Sequence, residues 1–202
     1  GDSGVHHVTL STEGQYAELA RIKGLDATVP RSDPSVGVAS WNSVEQLLYY
    51  GSAEDGLASA YVTPYDVASG RIKLQRAVRT QSQTSFTLTS IQFNGFDAKL
   101  YGMVTYSSGE HFFVRVSVAT DTEDGGAISD ITFEWVLQVE ADFIAPGLSA
   151  LDARRQSYYC VGVKQNSGVL LALSTGVDSS TGGTLPASVR WERSLSGGGI
   201  LT

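Results

Sequence analysis

Ile131-Thr132-Phe133-Glu134-Trp135-Val136-Leu137-Gln138-Val139-Glu140 decides the fold class of this chain. Ile131, Phe133, Trp135, Leu137 and Val139 share one parity, and Thr132, Glu134, Gln138 and Glu140 share the other. Only Val136 breaks the alternation. A period of two marks a β-strand with one face buried and one face wet. Neighbouring segments read alike. In Glu110–Thr120, Phe112, Val114, Val116 and Val118 are expected to face the core, with His111, Phe113, Arg115 and Ser117 outward. Ser107-Ser108-Gly109 joins this strand to Leu100–Tyr106, and a short loop ending in Gly is a hairpin signal. In Phe86–Phe93 the apolar parity changes between Leu88 and Ile91, which predicts a bulge near Thr89–Ser90.

Further strands are expected at Val5–Leu10, Ser59–Val62, Gly70–Val78, Ser157–Lys164, Val169–Ser174 and Ser188–Arg193. Gln165-Asn166-Ser167-Gly168 reads as a second hairpin loop, and Val189 and Trp191 fall on the inward parity of the last strand. Trp41–Tyr50 is the best helix candidate, with Ser43 as cap, Gln46 three residues on and Gly51 at the end. A second short helical turn is expected within Phe143–Arg155, after Pro146-Gly147. Residues 24–40, with Gly24, Pro30, Pro34 and Gly37, read as an extended loop, and residues 195–202 as a tail ordered only by a neighbour. No internal repeat is evident. These segments predict one all-β domain over residues 1–202, an antiparallel two-sheet β-sandwich with one or two short helices.

Hydrophobic residues make up 42% of the 202 residues and charged residues 17%, with Gly, Ser and Thr replacing charge. The net charge of −7 is opposite to that of a protein held to nucleic acid by its overall charge. Acidity is concentrated from Asp121 to Asp142, where seven carboxylates occur without a Lys or Arg. Bases gather at Arg71, Lys73, Arg76 and Arg79, which suit either a charged edge strand or contact with an acidic partner or packaged genomic RNA. The single cysteine, Cys160, excludes an internal disulfide, and Asn42, Asn94 and Asn166 all fail the N-glycosylation pattern. Both features lean towards folding in the cytosol. No apolar run is long enough to span a membrane, and no signal peptide is expected. Gly1 in place of Met suggests a chain cut from a precursor or expressed as a fragment.

The sequence offers little catalytic chemistry. Gly1-Asp2-Ser3-Gly4 resembles the nucleophile motif of trypsin-like proteases, but those enzymes place their His and Asp upstream of it. His6 and His7 are neighbours, so on a strand they face opposite sides, and a zinc site would need further ligands. His111 is the third histidine; clustered histidines at an interface respond to pH. Asp121-Thr122-Glu123-Asp124-Gly125-Gly126 lacks the alternating ligands of an EF-hand loop. Glu134 and Glu140 lie about 20 Å apart along one strand, too far for either glycosidase geometry. Tyr49, Tyr50, Tyr61, Tyr65 and Phe113 can supply a sugar-stacking surface or a core, while Trp135 and Trp191 read as core. No catalytic residue, cofactor or metal ligand is expected.

A sandwich of this size, poor in charge, without disulfides and beginning at Gly, resembles the jelly-roll coat proteins of icosahedral picornavirus-like viruses, among them the small coat proteins of plant secoviruses. Glu140-Ala141-Asp142-Phe143-Ile144-Ala145-Pro146-Gly147 looks like the acidic-aromatic turn that often ends the last strand of such rolls. Ser69-Gly70-Arg71-Ile72-Lys73-Leu74-Gln75 resembles an early strand. The resemblance covers about twenty residues, and the strand-like segments after Gly147 depart from it. It implies a jelly roll and a non-enzymatic structural subunit of a virion, made in the host cytoplasm. Such a subunit self-assembles with its own copies or companion capsid proteins around the genome. Residues 41–66, 121–130 and 195–202 are the expected contact or surface segments. The alternative is a carbohydrate- or receptor-binding sandwich of the attachment type, and a third reading is a sandwich-fold hydrolase.

Overall fold

The computed structural model describes residues 5–10, 16–22, 32–43, 45, 47–54, 59–66, 71–72, 76–79, 86–121, 127–178 and 180–195. The strands in chain order are β1 (Val5–Leu10), β2 (Tyr16–Ile22), β3 (Ser32–Asn42), β4 (Leu47–Glu54), β5 (Ser59–Asp66), β6 (Arg71–Ile72), β7 (Arg76–Arg79) and β8 (Phe86–Asn94). They continue as β9 (Lys99–Tyr106), β10 (His111–Asp121), β11 (Ala127–Val139), β12 (Phe143–Asp152), β13 (Ser157–Lys164), β14 (Ser167–Ser174) and β15 (Val189–Ser194). The all-β, antiparallel class expected from the alternation is the class observed, and no helix occurs among the described residues.

The strands form a hairpin, β1-β2, and three meanders: β3-β4-β5 with β6 and β7 both paired to β5, then β8-β9-β10-β11, then β12-β13-β14-β15. Within each meander strands pair with their sequence neighbours, apart from β7, which pairs back to β5. The described pairings therefore contain more than two sheets and no Greek-key crossover. The first strands of the three meanders converge: β3 and β12 both pack on β8 and also touch each other. Two apolar layers fill the spaces between the meanders. One joins Leu47 and Tyr49 of β4 to Leu88, Ile91, Leu100, Val104, Val114 and Val116 of the middle meander. The other joins Tyr101, Met103, Phe113 and Val139 to Ile144, Tyr158, Cys160, Leu171 and Leu173 of the last.

The middle meander is thus covered on both faces, and this corrects the expected direction of several side chains. Phe112, Val114 and Val116 pack into the first layer as expected. Phe113 and His111, expected outside, are instead 0% and 3% exposed, on the side facing the last meander. In β11 the residue that breaks the alternation is the residue that breaks the ladder: Phe113 pairs with Leu137 and Val114 with Trp135, leaving Val136 as the extra residue of a bulge. Phe133 packs into the first layer, whereas Leu137 and Val139 belong to the second. The bulge predicted near Thr89–Ser90 is present, with the β8–β9 register shifting between Leu88 and Ser90.

Both predicted hairpins form. Gly109 adopts a φ of 91° in the β9–β10 turn and donates its N–H to the Tyr106 carbonyl at 2.9 Å. The β13–β14 loop is shorter than expected. Gln165 and Asn166 alone connect the strands, both at positive φ (51° and 61°), the signature of a type I′ turn. Trp41–Tyr50 is not a helix. Trp41 and Asn42 end β3, and the chain turns and returns as β4, with Trp41 paired to Leu48 and Asn42 to Leu47. The apolar run Leu47–Tyr50 suits either period, and the strand wins because Leu47 and Tyr49 reach the core while paired on both sides. Within the expected loop 24–40, residues 32–40 belong to β3, whose register shift between Pro34 and Ala39 accommodates Pro34. The segment Phe143–Arg155 is strand β12 with an irregularity between Ile144 and Ser149, then a turn, with no helix. Residues 196–202 of the expected tail lie outside the described residues.

The meanders are a sequence repeat, contrary to the expectation of none. Asn42-x-x-Glu45-x-x-Leu48-Tyr49, Asn94-x-x-Asp97-x-x-Leu100-Tyr101 and Asp152-x-x-Arg155-x-x-Tyr158-Tyr159 each span the turn from the first to the second strand of a meander. Asp66-x-x-x-Gly70 and Asp121-x-x-x-Gly125 start on the last residue of a third strand, and Asp178-x-x-x-Gly182 starts shortly after one. The period is roughly 55 residues, in the range of stacked four-stranded units.

Candidate functional site

Side-chain-to-backbone bonds hold the three turns between first and second strands. Asn42 accepts the N–H of Glu45 at 3.3 Å, and its amide donates to the Glu45 carboxylate at 2.9 Å. Asn94 accepts the N–H of Phe96 at 3.0 Å. Asp152 accepts the N–H groups of Arg154 and Arg155 at 3.1 and 3.0 Å, and Arg155 closes a 2.8 Å ion pair on it. This is the local reason that Asn or Asp opens each repeat: a short oxygen-bearing side chain satisfies the amides of a tight turn. The arginine side chain and backbone N–H bonds hold the Asp152 carboxyl below its ordinary range.

Bonds between meanders bring these turns to one end of the molecule. Ser40, near the end of β3, accepts the N–H of Phe93, near the end of β8, at 2.6 Å. Asn94 donates to Gln156 Oε1 at 2.9 Å, and Thr175 donates to the same oxygen at 2.8 Å. Asn94, Gln156 and Thr175 are each 0% exposed, so this buried polar link is satisfied within the protein. In the first two turns the acidic residue is tied to the tyrosine that follows it. Tyr101 donates to Asp97 at 2.6 Å, and burial followed by the Glu45 charge pushes the Tyr49 hydroxyl up to about 12. Above this frame Phe96 stands 49% exposed, with Glu45, Arg154 and Arg155 exposed beside their own turns. An aromatic face among hydrogen-bonding groups is a surface that stacks on and bonds to a sugar or a polar peptide. Sequence reading missed Phe96; the signal was its place inside a repeated turn.

The residues singled out in the sequence do not converge on one site. Tyr49 and Phe113, expected as stacking surface or core, are core, at 2% and 0% exposure. Trp191 and Val189, expected inward, are each 43% exposed on the edge strand β15, where Trp191, Glu192 and Arg193 line an open depression of about 340 Å³. Trp135 lies in β11 opposite Val114, with its side chain outside the described residues, as are the side chains of Tyr50, Tyr61 and Tyr65. Arg71 lies on β6, and Arg76 and Arg79 on β7, both strands lying beside β5 at the rim of their sheet; Lys73 is outside the described residues. Gly1–Gly4 and residues 122–126 also lie outside them. His6 and His7 lie on β1 opposite Arg21 and Ala20. Glu134 is bonded to Arg115 across the β10–β11 ladder. Burial pushes the Cys160 thiol up to about 12, which makes it an inert core residue. Among the described residues no group of three or more His, Cys, Asp or Glu can hold a metal ion. Among the same residues no helix is long and apolar enough to cross a membrane.

His111 is a titratable group inside the second apolar layer's side of β10. Its Nδ1 bonds to the Thr105 hydroxyl at 2.9 Å, and its buried Nε2 meets no acceptor at hydrogen-bond geometry. Burial lowers its pKa from the ordinary 6.5, against a partial opposing pull from the backbone and carboxylate of Asp142. The unfolded chain therefore binds this proton more readily, and stability falls as pH drops below about 6.5 towards the lower folded-state value. His111→Leu is expected to flatten that part of the urea-stability profile against pH while costing about 1 kcal/mol at neutral pH through the Thr105 hydroxyl. An unchanged acid slope would show that His111 does not carry it.

A scan against protein-family models finds no match, and a search of curated proteins finds none. Among solved structures, a luciferin-regenerating enzyme is 12% identical with a TM-score of 0.42, over 98% of this chain and 53% of that one. The chain spans about half the length of that structure.

Proposed function

We propose that this protein is a binding scaffold, a run of stacked meanders of the propeller type that presents its first-to-second-strand turns to a receptor or glycan. The finer fold reading follows from convergent first strands and sequential pairing, which suit radially arranged four-stranded units better than a two-sheet jelly roll. The observation that carries the function is the joining of the three repeated turns at one end by the Ser40–Phe93 and Asn94–Gln156 bonds. Loops held by a rigid frame are where β-scaffolds bind, because the frame bears the ordering cost in advance. Phe96 is the expected anchor. Phe96→Ala should weaken binding of a glycan or receptor fragment found by array screening at least about tenfold, a loss of roughly 1.4 kcal/mol. Stability should change by no more than about 0.5 kcal/mol, as for other exposed positions. Binding indifferent to Phe96 would remove the turns from the interface.

A second reading, the viral coat subunit, is favoured by one observation: the apolar outer face of the last meander, with Phe143 and Trp191 exposed. It requires shells visible by electron microscopy of the purified protein. A homogeneous population of small particles would rule it out.

A further inference from the structure

The repeat assigns each meander a forward face and a backward face. Tyr49 points forward from the first meander: it is 2% exposed and stacks on Phe93 of the second, centroids 6.3 Å apart. Tyr101, its equivalent, points forward from the second meander and is 0% exposed in the layer shared with the third. Leu100 and Tyr158, one position earlier in their repeats, point backward and are 1% and 0% exposed against the preceding meander. At each internal junction, then, the forward tyrosine of one unit and the backward residue of the next are both covered.

At the two ends, among the described residues, no other meander covers them. Tyr159, the forward tyrosine of the third meander, is covered by Trp191 of its own sheet, centroids 5.9 Å apart. The register Tyr159–Ala172–Trp191 places these on the face opposite Tyr158 and Cys160, and the Phe143–Val163 pair lies on that same face. Phe143 and Trp191 there are 41% and 43% exposed. On the backward face of the first meander, Trp41 pairs with Leu48, the equivalent of Leu100, and stands 46% exposed. Each end carries half of the junction that the interior of the molecule makes twice.

We infer that the forward face of the third meander stacks on the backward face of the first meander of a second copy of this chain. The contact is head-to-tail and continues the internal stacking. A heterologous contact of this kind closes into a ring where its rotation allows and otherwise propagates. It requires no icosahedral shell and does not depend on what the turns bind.

The test is sedimentation velocity from about 1 to about 100 µM, with Trp41→Glu, Trp191→Glu and their equimolar mixture. Wild type is expected to associate with rising concentration, and each variant alone to remain monomeric. The mixture is expected to form a 1:1 dimer, because Trp41→Glu keeps an intact forward face and Trp191→Glu an intact backward face. A self-complementary interface between like faces would not be rescued in this way. Monomeric wild type across the range, association of either variant alone, or a mixture that stays monomeric each overturns the proposal. Both tryptophans are exposed, so the variants should keep the wild-type urea midpoint. The Trp→Gln counterparts take the place of either Glu variant that loses cooperative unfolding.

Discussion

Phe113→Ala is expected to destabilise the protein by about 3–5 kcal/mol, the range for emptying a fully buried aromatic site. Phe113 is 0% exposed. Its ring lies 5.7 Å from Tyr101 within the middle meander and 5.0 Å from Tyr158 of the last. The substitution removes transfer free energy and leaves a cavity between two sheets, where strands paired on both sides cannot collapse to fill it. Urea unfolding should show a large fall in midpoint with little change in slope. Phe96→Ala, at an exposed position, is the control. If the two variants lose similar amounts, Phe113 does not join the meanders.

Gly102→Ala is expected to cost about 3 kcal/mol, although it adds a single methyl group. A Cβ at Gly102 would collide with the Ser90 carbonyl oxygen and lie 3.5 Å from the Ile91 Cα, both backbone atoms of the neighbouring strand. The bulge between Leu88 and Ser90 brings β8 this close, so relief would require separating two paired strands. Gly162 is built alike, with the Phe143 carbonyl of β12 in the way of a Cβ. Each meander described at this position therefore keeps a glycine on its second strand where the first approaches. Gly109→Ala is the comparison: its φ of 91° imposes about 1–2 kcal/mol of backbone strain, but nothing lies within 4 Å of the added carbon. Thermal unfolding should rank Gly102→Ala well below Gly109→Ala, and the reverse order would contradict the close approach.

Of the candidate platform, its turn chemistry was legible in the sequence, but its assembly was not. Asn42, Asn94 and Asp152 are ordinary turn residues, and their recurrence at matched distances from Tyr49, Tyr101 and Tyr159 is visible once those strings are laid side by side. The repeat is weak because only the residues that make the turn and cover the junctions recur, while Arg155 replaces the acid of the earlier turns. That Ser40 reaches Phe93, and Asn94 reaches Gln156, depends on the sheets already being stacked.

Local pattern by itself determined β8 to β11 and β13 to β15, the Ser107–Gly109 hairpin and the bulge at Thr89–Ser90, because each depends on neighbours a few residues away. Tertiary structure alone decided how many sheets form and what covers each face. A period of two says that the two sides of a strand differ; it cannot say that a second sheet waits on the polar-seeming side, as it does for Phe113 and His111. It also cannot tell an apolar side chain that fills a core from one, such as Trp191, that lies on an outer face. For the same reason Trp41–Tyr50 read as a helix. Its apolar run satisfies either period, and long-range pairing with β5 and packing against the middle meander select the strand.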